Sequence, residues 1–146
     1  MAYKKILIAI DGSELAEKAL TQGANLAKAL DAEIVVVTVT EPYHHVSMGE
    51  AIVAFPAAEY ENAAAKAAAD MLNKAEQHVR GLDAKCETRH VKGQHPAEGI
   101  IAATEELGAD LIVVASHGRR GLSRVILGSQ ANAVVVQSKV PVLVCR

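Results

Sequence analysis

Four stretches of this chain are apolar at almost every position rather than at every second one, and that habit restricts what it can fold into. Ile6-Leu7-Ile8-Ala9-Ile10 and Ile34-Val35-Val36-Val37-Thr38-Val39 are the clearest, joined later by Leu111-Ile112-Val113-Val114 and Val142-Leu143-Val144-Cys145. A strand with one wet face alternates apolar and polar residues; one that is apolar throughout must be covered on both faces, as in a parallel sheet flanked by helices. Between the first two runs, Leu15, Ala16, Ala19, Leu20, Gly23, Ala27 and Leu30 recur at steps of three and four, the stripe a helix needs to pack on a sheet. The first 40 residues therefore read as one βαβ unit.

The pattern continues to the end of the chain. After an irregular segment from Glu41 to Phe55, Pro56 suits a first helical turn, and an alanine-rich run to Gly81 predicts a helix of about 25 residues. A strand near Lys85 to Val91 follows, then a helix opening at His95-Pro96 and closing at Gly108. Strand, glycine loop, helix and last strand complete the order. The alternation predicts an α/β fold: one domain over residues 1–146, a doubly wound three-layer sandwich with right-handed crossovers. Its parallel sheet has about five strands in the order 3-2-1-4-5, with about four helices.

Charge narrows the function. The net charge is −2 with both signs mixed, so no extended basic field is present to attract nucleic acid or an anionic membrane. The first apolar segment is too short for a signal-peptide core or a bilayer span, which predicts a cytoplasmic protein with no membrane insertion. Cys86 and Cys145 fall in separate predicted strands on opposite edges of the sheet, with no metal-ligand or redox spacing, and are expected to pack as small apolar residues without a disulfide.

In doubly wound sheets a ligand sits beyond the carboxyl ends of the strands. Ile10-Asp11-Gly12-Ser13, Val39-Thr40-Glu41 and Ala115-Ser116-His117-Gly118 all lie at that end. The last of these is followed, after nine residues, by Gly128-Ser129 and the start of a helix. A glycine lets the backbone approach an anion closely, and a helix N-terminus presents N–H groups with a partial positive charge, so the pair suits a phosphate chain. No Gly-x-Gly-x-x-Gly follows the first strand and no Gly-x-x-x-x-Gly-Lys-Ser/Thr occurs, so neither a dinucleotide fingerprint nor a P-loop fits.

Asp11 after strand one, the segment of 15 residues after strand two, and the glycine loop feeding the last βα pair together resemble the universal stress protein family over the whole chain. In its nucleotide-binding members the pattern is Gly, two residues, Gly, nine residues, Gly, then Ser or Thr. Here Ala115 stands at the first glycine, while Gly118, Gly128 and Ser129 match. The resemblance implies ATP with Mg²⁺: adenine beside the Val39 backbone, Ala9 flooring the pocket, and Asp11 facing the ribose or a metal. Gly118, Gly128, Ser129 and Gln130 would then line the phosphates with backbone N–H groups and the serine hydroxyl, Ala115 keeping the first glycine's place in the site. It also implies a homodimer paired through the C-terminal strand, which would cover an edge with apolar residues on both faces.

Several residues keep two readings. Arg119 and Arg120 suit bidentate phosphate pairing or a solvated loop face. Asp11 with Glu14 could instead form a capping box, and Ser129 could simply cap its helix. His117 could donate a hydrogen bond to a phosphate or only orient the turn, and His44-His45 fits a surface loop better than a metal site. The segment Glu41 to Phe55 suggests a lid or a loop without fixed structure. Three functions follow: a stress-responsive module that binds an adenine nucleotide, a slow Mg²⁺-dependent ATPase using Asp11, or a dimeric chaperone-like subunit that serves an unknown protein partner without nucleotide.

Overall fold

Alternate residues of the apolar runs separate onto opposite faces of one sheet, as the two-residue period of a strand requires. Ile6, Ile8, Ile34, Val36 and Val113 pack with Leu20, Leu72 and Val79 in one core cluster. Leu7, Val35, Val37, Ile112 and Val114 pack with Ile100, Ala131 and Val134 in the other. This is a computed structural model, and it describes residues 2–43, 46–48, 51–53, 56–118 and 127–146. The elements are β1 (Lys5–Ala9), α1 (Glu14–Leu30), β2 (Glu33–Thr40), β3 (Val46–Met48), β4 (Ala51–Val53), α2 (Ala57–Gly81), β5 (Glu87–Lys92), α3 (Pro96–Leu107), β6 (Leu111–Ala115), α4 (Ser129–Gln137) and β7 (Val142–Cys145).

The main sheet has five strands in the order β5-β2-β1-β6-β7, and all its pairings are parallel. Counting only its own strands, that is 3-2-1-4-5 as expected. Ile6 lies between Ile34 and Leu111, and Ile8 between Val36 and Val113, so β1 is central in register as well as in order. Helices α1 and α2 cover one face; α3 and α4 cover the other. Two glycines set how closely helices sit on the sheet. A β-carbon on Gly23 of α1 would lie 2.7 Å from Ile8 Cδ1, and one on Gly99 of α3 would lie 2.7 Å from Val39 Cγ1.

Local differences from the sequence reading have local causes. The segment after β2 carries a short antiparallel pair, with Val46 opposite Val53 and Met48 opposite Ala51. The lid expected over this stretch rests partly on residues outside those described, and the His44-His45 pair lies wholly outside them. Pro56 is the N-cap of α2 rather than its first helical residue. Cys86 precedes β5 instead of lying in it, while Cys145 ends β7 on the opposite edge; both are free thiols. Burial raises the pKa of each thiol; the nearby charge of Glu76 adds to the effect at Cys86, where Arg80 opposes it. Among the described residues no helix is long and apolar enough to cross a membrane.

Candidate functional site

Three helix N-termini and the carboxyl ends of three strands meet around one cavity of about 800 Å³. β1 contributes Ala9 and, just past its end, Asp11; β2 contributes Val39 and Thr40; β6 contributes Ala115, followed by His117 and Gly118. Ala16 of α1, Pro96 of α3 and Ser129 of α4 line it from the first turns of their helices. Of the residues singled out from sequence, Ala9, Asp11, Val39, Ala115, Gly118, Gly128, Ser129 and Gln130 all line this cavity. Arg119, with Arg120, lies outside the described residues.

The loop after β1 is folded by Asp11. Its Oδ1 accepts a hydrogen bond from Ser13 N at 2.9 Å, closing an Asx turn, and Gly12 takes a left-handed φ of 82°. Ser13, not Asp11, is the N-cap of α1, its Oγ accepting from Ala16 N at 3.1 Å. The capping box between Asp11 and Glu14 is therefore replaced by a serine cap two residues further on. Asp11 remains at the cavity wall, its Oδ2 only 2.6 Å from where a β-carbon on Gly118 would sit.

The loop after β6 is held by its backbone. Ser116 N donates to Cys145 O at 2.7 Å, and Gly128 N donates to Ser116 O at 2.8 Å, so the two ends of the glycine segment are pinned together. A β-carbon on Gly128 would lie 2.8 Å from that same Ser116 O, which only glycine tolerates without a shift of backbone. Gly128 is also the N-cap of α4 and has no side chain with which to bond the first N–H groups of the helix. Ser129 is thus inside the helix rather than capping it. These N–H groups, with the positive end of the helix dipole, face the cavity as an anion site would require.

Gln130 lines the cavity, but its side chain has another task. Oε1 accepts a hydrogen bond from Ala97 N at 3.2 Å, in the first turn of α3. The N-cap of α3, His95, makes no side-chain cap bond, so a residue of α4 supplies the cap across the cavity wall. That bond uses only the amide oxygen, so the backbone of Gln130 and its Nε2 donors are left for the role expected of it.

Other walls were not marked by any motif. Ala64, Ala67, Ala68 and Met71 of α2 form the side over β2; their signal was the alanine-rich composition of the helix, which reads equally well as ordinary packing. Thr38 Oγ1 donates to Met71 Sδ at 3.4 Å. Thr40 Oγ1 lies 2.8 Å from His90 Nε2, and burial, then the charge of Lys92, lowers the pKa of that imidazole. At the outer side, Tyr60 Oη donates to Glu41 O at 3.2 Å and its ring meets Tyr43 at a centroid distance of 5.4 Å. Among the described residues there is no cluster of three metal-ligating side chains.

The comparisons with known proteins agree with one another. The family model described as "Universal stress protein family" matches residues 2–146. The universal stress protein YxiE of Bacillus subtilis is 34% identical over 148 aligned positions, with 99% of each chain covered. Among solved structures, universal stress protein UspA from Lactobacillus plantarum is 26% identical with a TM-score of 0.84, covering 100% of this chain and 99% of that one. A universal stress protein solved in complex with cAMP is 25% identical with a TM-score of 0.71, covering 100% and 98%.

Proposed function

The chain belongs to the universal stress protein family, and from that premise we propose that it is a stress-response module that binds ATP with Mg²⁺ in the cavity at the carboxyl ends of β1, β2 and β6. The observation that carries this reading is the glycine-capped start of α4, pinned against Ser116 and opening on the cavity. The cAMP complex of a related protein supports an adenine nucleotide as the ligand class. Adenine would lie at Val39 over Ala9, with the ribose near Asp11. The phosphates would meet the backbone of Ala115, Gly118, Gly128, Ser129 and Gln130, and Arg119 would add charge.

Asp11 is a fitting anchor for Mg²⁺, which binds through one or two carboxylates, phosphate oxygens and water rather than through an all-protein cage. With no second acidic side chain beside Asp11 among the residues that line the β6 side of the cavity, Mg²⁺ would depend on the nucleotide for its other ligands. Occupancy would alter the loops around the cavity and so the surface offered to a partner, with ATP hydrolysis slow.

We also read the protein as a homodimer paired through β7. Its residues Val142-Leu143-Val144-Cys145 carry no charge, and Leu143 is 38% exposed. The opposite edge, β5, carries Glu87, Arg89, His90 and Lys92, the charged edge expected of a strand that stays in water.

Calorimetric titration of nucleotide-stripped protein with ATP, ADP, AMP and GTP, with and without Mg²⁺, tests the ligand. Saturable adenine-selective binding that Gly118→Arg abolishes is the expected outcome. Absence of binding at millimolar ATP, weaker than about −4 kcal/mol, would leave the nucleotide-independent dimer as the better reading.

A further inference from the structure

We propose that His117 reads the far end of the phosphate chain, and that Ser116 holds its ring for that purpose, so that this pair sets the preference for ATP over AMP. The inference rests on the nucleotide-binding reading above and adds to it the residue that senses phosphate number.

The geometry begins with Ser116. Its side chain is buried, the residue being 5% exposed, and its Oγ lies 3.1 Å from His117 Nδ1. Its backbone is fixed on both sides, N to Cys145 O and O to Gly128 N. A serine so held has no freedom to follow the ring; it fixes the ring instead. In the neutral imidazole with its proton on Nε2, the hydroxyl donates to Nδ1; in the doubly protonated ring it turns and accepts. Both of these states leave Nε2–H as a donor, whereas the tautomer with its proton on Nδ1 would turn a bare acceptor toward phosphate oxygen and is disfavoured once a phosphate is there; Nε2 makes no hydrogen bond to a described residue. His117 lines the cavity between Ala115 and Gly118.

Topology then decides which phosphate this donor meets. β1 lies between β2 and β6, and adjacent strands are about 4.8 Å apart, so β6 stands about 10 Å across the cavity from β2. A base anchored at Val39 on β2 puts its ribose over β1 and Asp11. The first phosphate follows the ribose closely, and the later ones reach the loop after β6. A donor there gains a charge-assisted hydrogen bond from ATP that AMP is too short to provide.

The test is calorimetry with ATP and AMP in Mg²⁺ on wild type, His117→Ala, His117→Gln and Ser116→Ala, with thermal melts as a check on folding. His117→Ala is expected to weaken ATP about tenfold, the loss of one hydrogen bond to a charged group, and AMP less than about twofold. His117→Gln, whose amide nitrogen falls near the place of Nε2, should recover most of the ATP affinity, and Ser116→Ala should lose about threefold for ATP alone. Parallel losses for ATP and AMP, or no loss for either, overturn the inference while the nucleotide-binding reading stands. A wild type that binds neither nucleotide overturns both.

Discussion

Oδ2 of Asp11 occupies the space that the side chain of residue 118 would need: a β-carbon on Gly118 would lie 2.6 Å from it. The loop after β1 and the loop after β6 are thereby fitted to each other, carboxylate against bare backbone, at the point where ribose and phosphates are proposed to meet.

That fit predicts coupling. Gly118→Ala and Asp11→Ala should each weaken Mg²⁺-ATP binding, the first by pushing the carboxylate aside and the second by removing it. The double variant should be weaker by less than the sum, with a coupling of about 0.5–3 kcal/mol. Strict additivity in a double-mutant cycle read by calorimetry would show that the two loops act separately.

Gly128 and Gly81 predict opposite signs of stability change. A β-carbon at Gly128 meets the backbone oxygen of Ser116 at 2.8 Å, whereas at Gly81 nothing lies within 4 Å. Gly128→Ala should destabilise by about 1–3 kcal/mol, since a packed backbone must shift. Gly81→Ala should stabilise by about 0.4–1 kcal/mol through the unfolded chain. Urea unfolding of the two variants checks the pair.

Gln130 predicts a cap that spans 33 residues of sequence. Gln130→Ala should cost about 0.5–2 kcal/mol, as loss of a helix cap does. Gln130→Glu keeps an acceptor for Ala97 N, so it should hold stability while its negative charge weakens ATP. Equal unfolding midpoints for wild type and Gln130→Ala would dismiss the cap.

Asp110 predicts the acid side of the stability curve. Burial raises the pKa of its carboxyl, but hydrogen bonds from the N–H groups of Lys4 and Lys5 and from its own, with the charge of Lys4, outweigh it and bring the pKa below the ordinary 3.8. The Lys4 and Lys5 bonds measure 2.9 and 3.0 Å. A carboxyl whose pKa is depressed by folding adds stability above its unfolded pKa and loses it as pH falls through the folded one. The stability gap between wild type and Asp110→Asn should thus be full near neutrality and close as the pH drops below about 4. A gap that does not change with pH would assign the effect to shape rather than charge.

The exposed edge predicts an assembly. Leu143→Lys should put a charge on the face that β7 is proposed to share and convert a dimer to monomer by light scattering, and truncation after Lys139 should give monomer or aggregate. A dimer that survives Leu143→Lys would move the interface elsewhere.

The order of strands was legible because both-face burial leaves unbroken apolar runs, and because Gly81, Gly108 and Pro141 mark where elements stop. The cavity wall was legible for the same reason: once the strand order is known, their carboxyl ends are known. The cap of α1 was not, because Asp11 and Ser13 are both good caps and only the turn closed by Asp11 Oδ1 decides between them. Nor was the side chain of Gln130, whose partner Ala97 is distant in sequence. Ser116 and His117 are neighbours, but their contact depends on a buried hydroxyl that sequence does not orient.

Gly23 and Gly99 let a helix settle closely on each face of the sheet, over Ile8 and Val39 respectively. The consequence is one of timing. Strand amides beneath these contacts should exchange with solvent only when the whole sheet opens, so the cavity floor is already in its final shape when a ligand arrives. Binding then costs little reordering there, and the entropy of ordering the floor has been lost at folding, leaving the loops after β1 and β6 as the parts whose motion sets the pace of arrival and release.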